Sequence, residues 1–496
     1  MSALTEFRAG LNRPDLIAHL RQGLIGDDAA FETPFGTRRL LYADYVASGR
    51  ALNQVEAFVM QQVLPYYANS HTEASYCGMT MTRMREEARS TIGRLVNAHE
   101  NCADEDCHVI FAGSGATAGL NRIARLLRIE RRVAAGERVV VLIGPYEHHS
   151  NILPWRESGA QLVTIPECDG GGLALDALKR ALQEAEGANL VVGSFSAASN
   201  VTGIVTDPDP VTRLLKSHGA LAIWDYAGGA PYLPMDMSPA PDCLKDAIVF
   251  SPHKFPGGPG ASGVAVIRDT VVACDTPTAP GGGTVSFVSP WRHQYSDRVE
   301  AREEGGTPNI VGDIRATLVM LVKDALGTEA ILARDAELRA RAVARLGQHS
   351  GIELLGHVDS AHALPIFSFR VFDDRGTPVH QQLFTRMLSD IYGVQARGGC
   401  ACAGPYAHAL LGLDEIASET LFQRLSEGHE LEKPGWVRLN LSYLHSDAQV
   451  ERILSAVTGL ADHARDLTAA YDCDPKTARF AVRDPATLPD ALSAVA

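Results

Sequence analysis

Apolar residues along the middle of the chain fall in short, unbroken, β-rich runs. Arg138–Ile143, Gln161–Ile165, Asn189–Val192, Leu221–Trp224, Ala247–Phe250 and Gly263–Ile267 are of this kind. Continuous apolar runs of strand length predict strands covered on both faces. Between several of them, at Leu173–Ala185 and Pro210–His218, apolar positions recur every three or four residues and predict amphipathic helices. This alternation predicts βα units joined by right-handed crossovers in a mostly parallel sheet. Past it, a segment at roughly 312–346 rich in Ala, Leu and Arg predicts one long helix. Runs near Ile366–Val371 and Val437–Leu441 predict the strands of a second, smaller α/β domain. The expected organisation is an N-terminal arm and small-domain segment at 1–45, a large domain at 46–325, a small C-terminal domain at 326–465 and a tail at 466–496. Proline and glycine gather at Pro252–Gly263 and Pro277–Gly283, which predicts functional loops or linkers there.

Composition narrows the function classes. The chain has 496 residues, 46% hydrophobic and 21% charged, the profile of a globular protein with a large core. A net charge of -14 argues against a nucleic-acid partner. Apolar runs stay short of the roughly 18 residues a membrane span needs, and residues 1–28 do not read as a signal peptide. Nine cysteines are too few and odd in number for a disulfide framework, so a reducing cytoplasm is the expected location.

Chemistry gathers where apolar runs end. Asp225 closes Leu-Ala-Ile-Trp-Asp, and a carboxylate ending a buried strand is costly without a cation partner; a helix cap or surface Asp is the plainer reading. Lys254 follows another apolar run, in Val-Phe-Ser-Pro-His-Lys-Phe-Pro-Gly-Gly, with Ser251 and His253 beside it. Phe111-Ala-Gly-Ser-Gly-Ala-Thr-Ala-Gly is a glycine-rich turn opening onto a helix. The amides of Ala116 and Thr117 could cradle a phosphate there, or the turn could simply need positive φ. His148 and His149 follow the run ending at Ile143. One imidazole could stack on a ring and shuttle protons; no carboxylate or cysteine spacing completes a metal site, so none is expected. A lysine, a strand-end carboxylate, a phosphate turn and a stacking imidazole are together what pyridoxal 5'-phosphate (PLP) chemistry requires.

Taken together the motifs resemble the class V aminotransferase family, and within it the cysteine desulfurases and selenocysteine lyases. Glu147-His-His-Ser-Asn-Ile-Leu-Pro-Trp155, Ser199-Asn-Val-Thr-Gly203, Ser251-Pro-His-Lys254, Gly306-Thr-Pro-Asn309 and Arg397-Gly-Gly-Cys-Ala-Cys402 carry the resemblance, which runs from about Tyr42 to Leu460. It implies a type I PLP fold: a large domain with a mostly parallel sheet flanked by helices, plus a smaller α/β domain. It further implies that Lys254 carries PLP as a Schiff base, that Asp225 pairs with the ring nitrogen and that His148 stacks on the ring. Asn200 would approach the phenolic oxygen and substrate, and Thr307 would reach a partner subunit's phosphate in a homodimer. Arg438, with Arg397, would hold the substrate carboxylate. Cys402 would be the persulfide-forming nucleophile, in a loop whose two-cysteine form resembles that of molybdenum-cofactor sulfurases, and Cys400 could relay or resolve the persulfide. A departure is Gly228, where desulfurases of this group usually carry Gln; room for the extra domain of the larger sulfurases is also lacking.

The implied reaction takes sulfur from L-cysteine as a Cys402 persulfide and releases alanine, with a sulfur-acceptor protein downstream. A PLP-dependent C–S β-lyase would use Lys254, Asp225 and Arg438 without Cys402. An epimerase or aminotransferase of the same family would ignore both cysteines.

Overall fold

A computed structural model of the chain describes residues 2–70, 73–99 and 107–483. The chain divides into two compact units. The first comprises Met1–Leu24, Ser48–Ser199 and Val205–Ala330; the second comprises Ile25–Ala47, Asn200–Ile204 and Ile331–Ala496.

The first unit is built on seven strands: β1 (Cys107–Gly113), β2 (Val139–Ile143), β3 (Gln161–Thr164), β4 (Leu190–Ser196), β5 (Leu221–Asp225), β6 (Ala247–Phe250) and β7 (Gly263–Arg268). Their order in the sheet is β1-β7-β6-β5-β4-β2-β3. Strands β3, β2, β4, β5 and β6 are paired parallel, and β7 runs antiparallel to both its neighbours. All six apolar runs form strands. The β1 strand was not foreseen, because its run merges into the glycine-rich turn that drew the eye. Every residue of β2 and β6 is buried, since helices cover both faces. Each buried Val, Leu or Ile of such a strand contributes about 1.5–3 kcal/mol. Covering them are α1 (Tyr76–Leu95), α2 (Gly115–Leu126), α3 (Leu175–Glu184), α4 (Pro208–Ser217) and α5 (Ile310–Leu326). Their apolar stripes close the core; Leu120 and Ile123 of α2 pack with Val141, Ile223 and Val249.

The expected helix at 312–346 is two helices, α5 and α6 (Thr328–Leu346). Gly327 separates them at φ +80°, a conformation that ends a helix and that glycine adopts at little cost.

The second unit holds β8 (Ile352–Leu354), β9 (Ile366–Phe372), β10 (Arg397–Gly399) and β11 (Trp436–Asn440), ordered β8-β9-β11-β10 and paired antiparallel. Helices α6, α7 (Gln381–Tyr392) and α9 (Asp447–Asp462) pack on it through Leu338, Phe384, Met387, Ile453 and Val457; α8 (Gly404–Leu411) follows β10. Within the segment expected as a tail, Tyr471–Asp474 pairs with Arg479–Val482 as a hairpin. The rest of it, 484–496, lies outside the described residues. Among the described residues no helix is long and apolar enough to cross a membrane.

Candidate functional site

In the first unit the chemistry stands at the carboxyl ends of the parallel strands, where an open α/β sheet presents its ligand crevice. Asp225 is the last residue of β5, in register with Ser196 of β4 and Val249 of β6. It is 3% exposed and accepts a hydrogen bond from the Ala227 N–H at 2.7 Å. Burial raises its pKa, opposed by that hydrogen bond and by the Lys254 charge. Lys254 ends a short helical turn that follows β6 by way of Ser251. Burial, then the Lys254 charge, lowers the pKa of neighbouring His253.

The glycine-rich turn meets this loop directly. The Ala116 N–H donates to Ser251 Oγ at 3.0 Å, and Thr117 Oγ1 lies 2.7 Å from Ser150 Oγ. Gly115 has φ +62°, and a Cβ there would stand 2.8 Å from Ser251 Oγ and 3.0 Å from His253 Cε1. The turn is therefore a concavity that only glycine leaves open, at the N-terminus of a twelve-residue helix whose first-turn amides favour an anion.

His148 caps the next turn, its Nδ1 accepting from the Ser150 N–H at 3.1 Å. Beneath it lies Glu147, which the sequence reading quoted but gave no role. Glu147 is 3% exposed and accepts hydrogen bonds from Gly144 N–H, Ser196 N–H, Ser196 Oγ and Asn151 Nδ2. Burial still prevails and raises its pKa to about 7. Thr307 is exposed in the turn before α5, whose N-terminus Asn309 caps through Gly312 N–H. A cavity of about 590 Å³ lined by Thr117, Asn121, His149, Ser150, Cys274 and Thr278 borders the glycine-rich turn without including Asp225 or Lys254.

These residues fit PLP. A buried carboxylate with a raised pKa gains from a ring N–H⁺, and the Gly115 concavity with its hydroxyls and amides suits a phosphate. Among the described residues no cluster of three or more His, Cys, Asp or Glu is placed to hold a metal.

The second unit gathers the remaining candidates. Arg438, in β11, is 3% exposed and pairs in register with Arg397 of β10 and Ser368 of β9. Like charges opposite one another cost stability. Asp44, a residue the sequence reading overlooked, answers both: Arg438 Nη2 donates to Oδ1 at 2.8 Å and Arg397 Nε to Oδ2 at 3.0 Å. Burial lowers the Arg438 pKa, chiefly against Asp44. Arg438 Nη1 also donates to the Asn200 carbonyl at 3.2 Å, and Asn200 Nδ2 to the Ala401 carbonyl at 2.8 Å. Cys402 is exposed while Cys400 is half-buried. Ala401 and Cys402 have φ +53° and +56°, consecutive left-handed residues that only a surrounding framework holds in place.

A sequence profile of the aminotransferase class-V family matches residues 41–452. A probable cysteine desulfurase from Pyrococcus abyssi is 28% identical over 386 residues, 77% of this chain and 89% of its own. One from Staphylococcus epidermidis is 28% identical over 388 residues, 77% and 88% of the two chains. Among solved structures, the apo cysteine desulfurase from Thermococcus onnurineus NA1 matches with a TM-score of 0.69 at 24% identity, covering 85% of this chain and 94% of that one. That likeness shows the fold, the type I fold of PLP-dependent transferases.

Proposed function

Because the chain belongs to the aminotransferase class-V family, whose members are PLP-dependent, we propose that it is a cysteine desulfurase converting L-cysteine to alanine with a persulfide left on Cys402. The observation that carries the reading is an exposed thiol on a loop hydrogen-bonded, through Asn200, to the buried Arg438. A lyase, epimerase or aminotransferase has no use for that thiol. Its cysteine desulfurase relatives support the same substrate.

PLP, when bound, supplies the electron sink that labilises the α-proton and then the C–S bond. The chain's own residues do the rest. Lys254 Nζ would hold the cofactor and then take the α-proton, and Asp225 would keep the ring nitrogen protonated. Ala116, Thr117, Ser251 and His253 would hold the phosphate, and His148 would flank the ring and pass protons. Arg438 and Arg397 receive the substrate carboxylate, with Asn200 beside them. The Cys402 thiolate attacks the substrate sulfur: the Cys402 S–S bond forms, the substrate C–S bond breaks, and its electron pair takes a proton to give the alanine methyl group. Thr307 serves the phosphate of a second copy in a homodimer, and a thiol-bearing acceptor protein takes the persulfide onward.

Product analysis of the PLP-loaded protein with L-cysteine tests this. Alanine, with equimolar persulfide on Cys402, is expected. Pyruvate and ammonia would make it a β-lyase. The Cys402→Ala variant should lose persulfide formation and keep α-hydrogen exchange on L-alanine in D2O. A persulfide still accumulating on that variant would remove Cys402 from its role.

A further inference from the structure

The polar contacts around Arg438 close into a ring. From Arg438 they run through Asp44 to Arg397 at the start of β10, and along the backbone of 397–401 to the loop that bears Cys402. They return from the Ala401 carbonyl through Asn200 Nδ2, and from the Asn200 carbonyl to Arg438 Nη1. Asp44, Asn200 and Arg438 are each buried. Two polar atoms of the ring have no partner among the described residues, Arg438 Nε and Asn200 Oδ1. Buried donors and acceptors left open in this way are costly unless a ligand meets them. The guanidinium thus commits Nη2 and Nη1 to the ring, while its Nε is buried without a partner among the described residues.

We propose that Asp44 and Asn200 are positioning residues which tie the arginine that receives the substrate carboxylate to the loop that presents the Cys402 thiol. Asp44 does two jobs at once. It bridges the facing pair Arg397 and Arg438, offsetting one of their two charges, and it fixes the plane of the Arg438 guanidinium. Asn200 holds the backbone at the first of two consecutive left-handed residues, where a loop lacking that bond would relax toward commoner backbone angles. The nucleophile is therefore aimed by the same contacts that orient the carboxylate clamp. The inference rests on the desulfurase reading for the roles of Arg438 and Cys402, and its test is chosen to survive the failure of that reading.

The experiment measures the alkylation rate of Cys402 by iodoacetamide in the full PLP-loaded chain, read by peptide mass spectrometry without substrate. It is run on the wild type, Asp44→Asn, Asn200→Asp and the double variant, each checked for an intact unfolding transition. Asn200→Asp keeps the side-chain size and removes the donor to Ala401, so the rate should change at least about fivefold. Asp44→Asn, whose side chain pairs with Arg397 and Arg438, should also change it, by about threefold or more. The double variant should change it no more than Asn200→Asp alone, because both open one ring. Kinetics with L-cysteine should divide the roles: Asp44→Asn raises KM about tenfold, and Asn200→Asp lowers the rate of persulfide formation. An unchanged alkylation rate in Asp44→Asn, or effects that multiply in the double variant, would overturn the coupling. If the wild type makes no persulfide, the desulfurase reading fails while the alkylation data still decide the ring. Should Asp44→Asn not fold, Asp44→Glu, which keeps the charge and displaces it, takes its place with the same expectation.

Discussion

The first unit places its reactive groups where a sheet leaves no freedom, and the second places its own where the backbone is under tension. Asp225 ends a strand flanked on both sides by parallel neighbours, and Glu147 is saturated by four donors from two loops and a strand end. Geometry there is inherited from the fold, and the cost is electrostatic: both carboxylates are buried and both pKa values are raised. Cys402 is exposed, yet it stands second in a pair of left-handed residues. Its geometry has to be imposed from outside, by Asn200 and the arginines behind it. Rigidity is bought with charge burial in one unit and with backbone strain in the other. Substitutions in the two units should therefore fail in different ways.

The largest effect is expected at Asp225. On the proposed reading Asp225→Asn removes the anion that would hold the ring nitrogen protonated, and turnover with L-cysteine should fall by roughly a hundred- to a thousandfold, the usual scale for losing one preorganised electrostatic contact. The same change should raise the urea midpoint of the cofactor-free protein at neutral pH. There burial outweighs the Ala227 N–H and the Lys254 charge that favour the carboxylate, and an amide keeps the acceptor for Ala227 N–H. A variant both less active and less stable would show that Asp225 is satisfied within the protein, and the electrostatic half of the comparison would fall.

Glu147 gives a smaller and pH-dependent effect. Its folded pKa of about 7 lies above the ordinary 4.5, so the protonated form is the one the fold favours. Its contribution is complete below about pH 4.5 and is lost as the pH rises through 7, a swing of roughly 3 kcal/mol. Glu147→Gln cannot titrate. It turns an amide nitrogen toward Asn151 Nδ2 or Ser196 and costs about 1–3 kcal/mol at every pH. The decline in urea stability of the cofactor-free protein between pH 5 and pH 7.5 should nonetheless be shallower in the variant. Asp225, also raised, keeps the remaining slope. Equal slopes in the two proteins would mean that Glu147 is ionised throughout and held by its donors.

What the sequence made legible follows the same division. An apolar run ended by a carboxylate, or by Ser-Pro-His-Lys, announces a strand end, and Asp225, buried, and Lys254, half-buried, stand at or just past the ends of β5 and β6. The meeting of Gly115 with Ser251 and His253 was not legible, since it depends on β7 inserting antiparallel between β1 and β6. Glu147 stood in the quoted Glu-His-His string, but a buried acid and a polar loop residue look alike before burial is known. Asp44 was out of reach for another reason: its partners Arg397 and Arg438 lie more than 350 positions away along the chain. Nothing in the spacing of Arg397 and Arg438 reveals that adjacent strands place them face to face. The break at Gly327 was visible as a glycine but hidden by good helix formers on both sides.

The smallest effect tests the strain itself. Ala401→Gly removes the Cβ that makes φ +53° unfavourable, a relief of about 1 kcal/mol or more. It also gives the unfolded chain more freedom, which costs about 0.4–1 kcal/mol. The two nearly cancel, so stability should rise by no more than about 0.5 kcal/mol, read as a small increase in the urea midpoint of PLP-loaded protein. Asn200 donates to the Ala401 carbonyl, a backbone acceptor that glycine retains. If that bond sets the loop, persulfide formation should stay within about twofold of the wild type, since the imposed geometry does not depend on the methyl group. A tenfold loss would mean that the left-handed turn is aimed by the restricted backbone of Ala401, and that Asn200 merely follows it. The strain would then belong to the nucleophile loop's own sequence, and the ring of contacts around Arg438 would be its consequence.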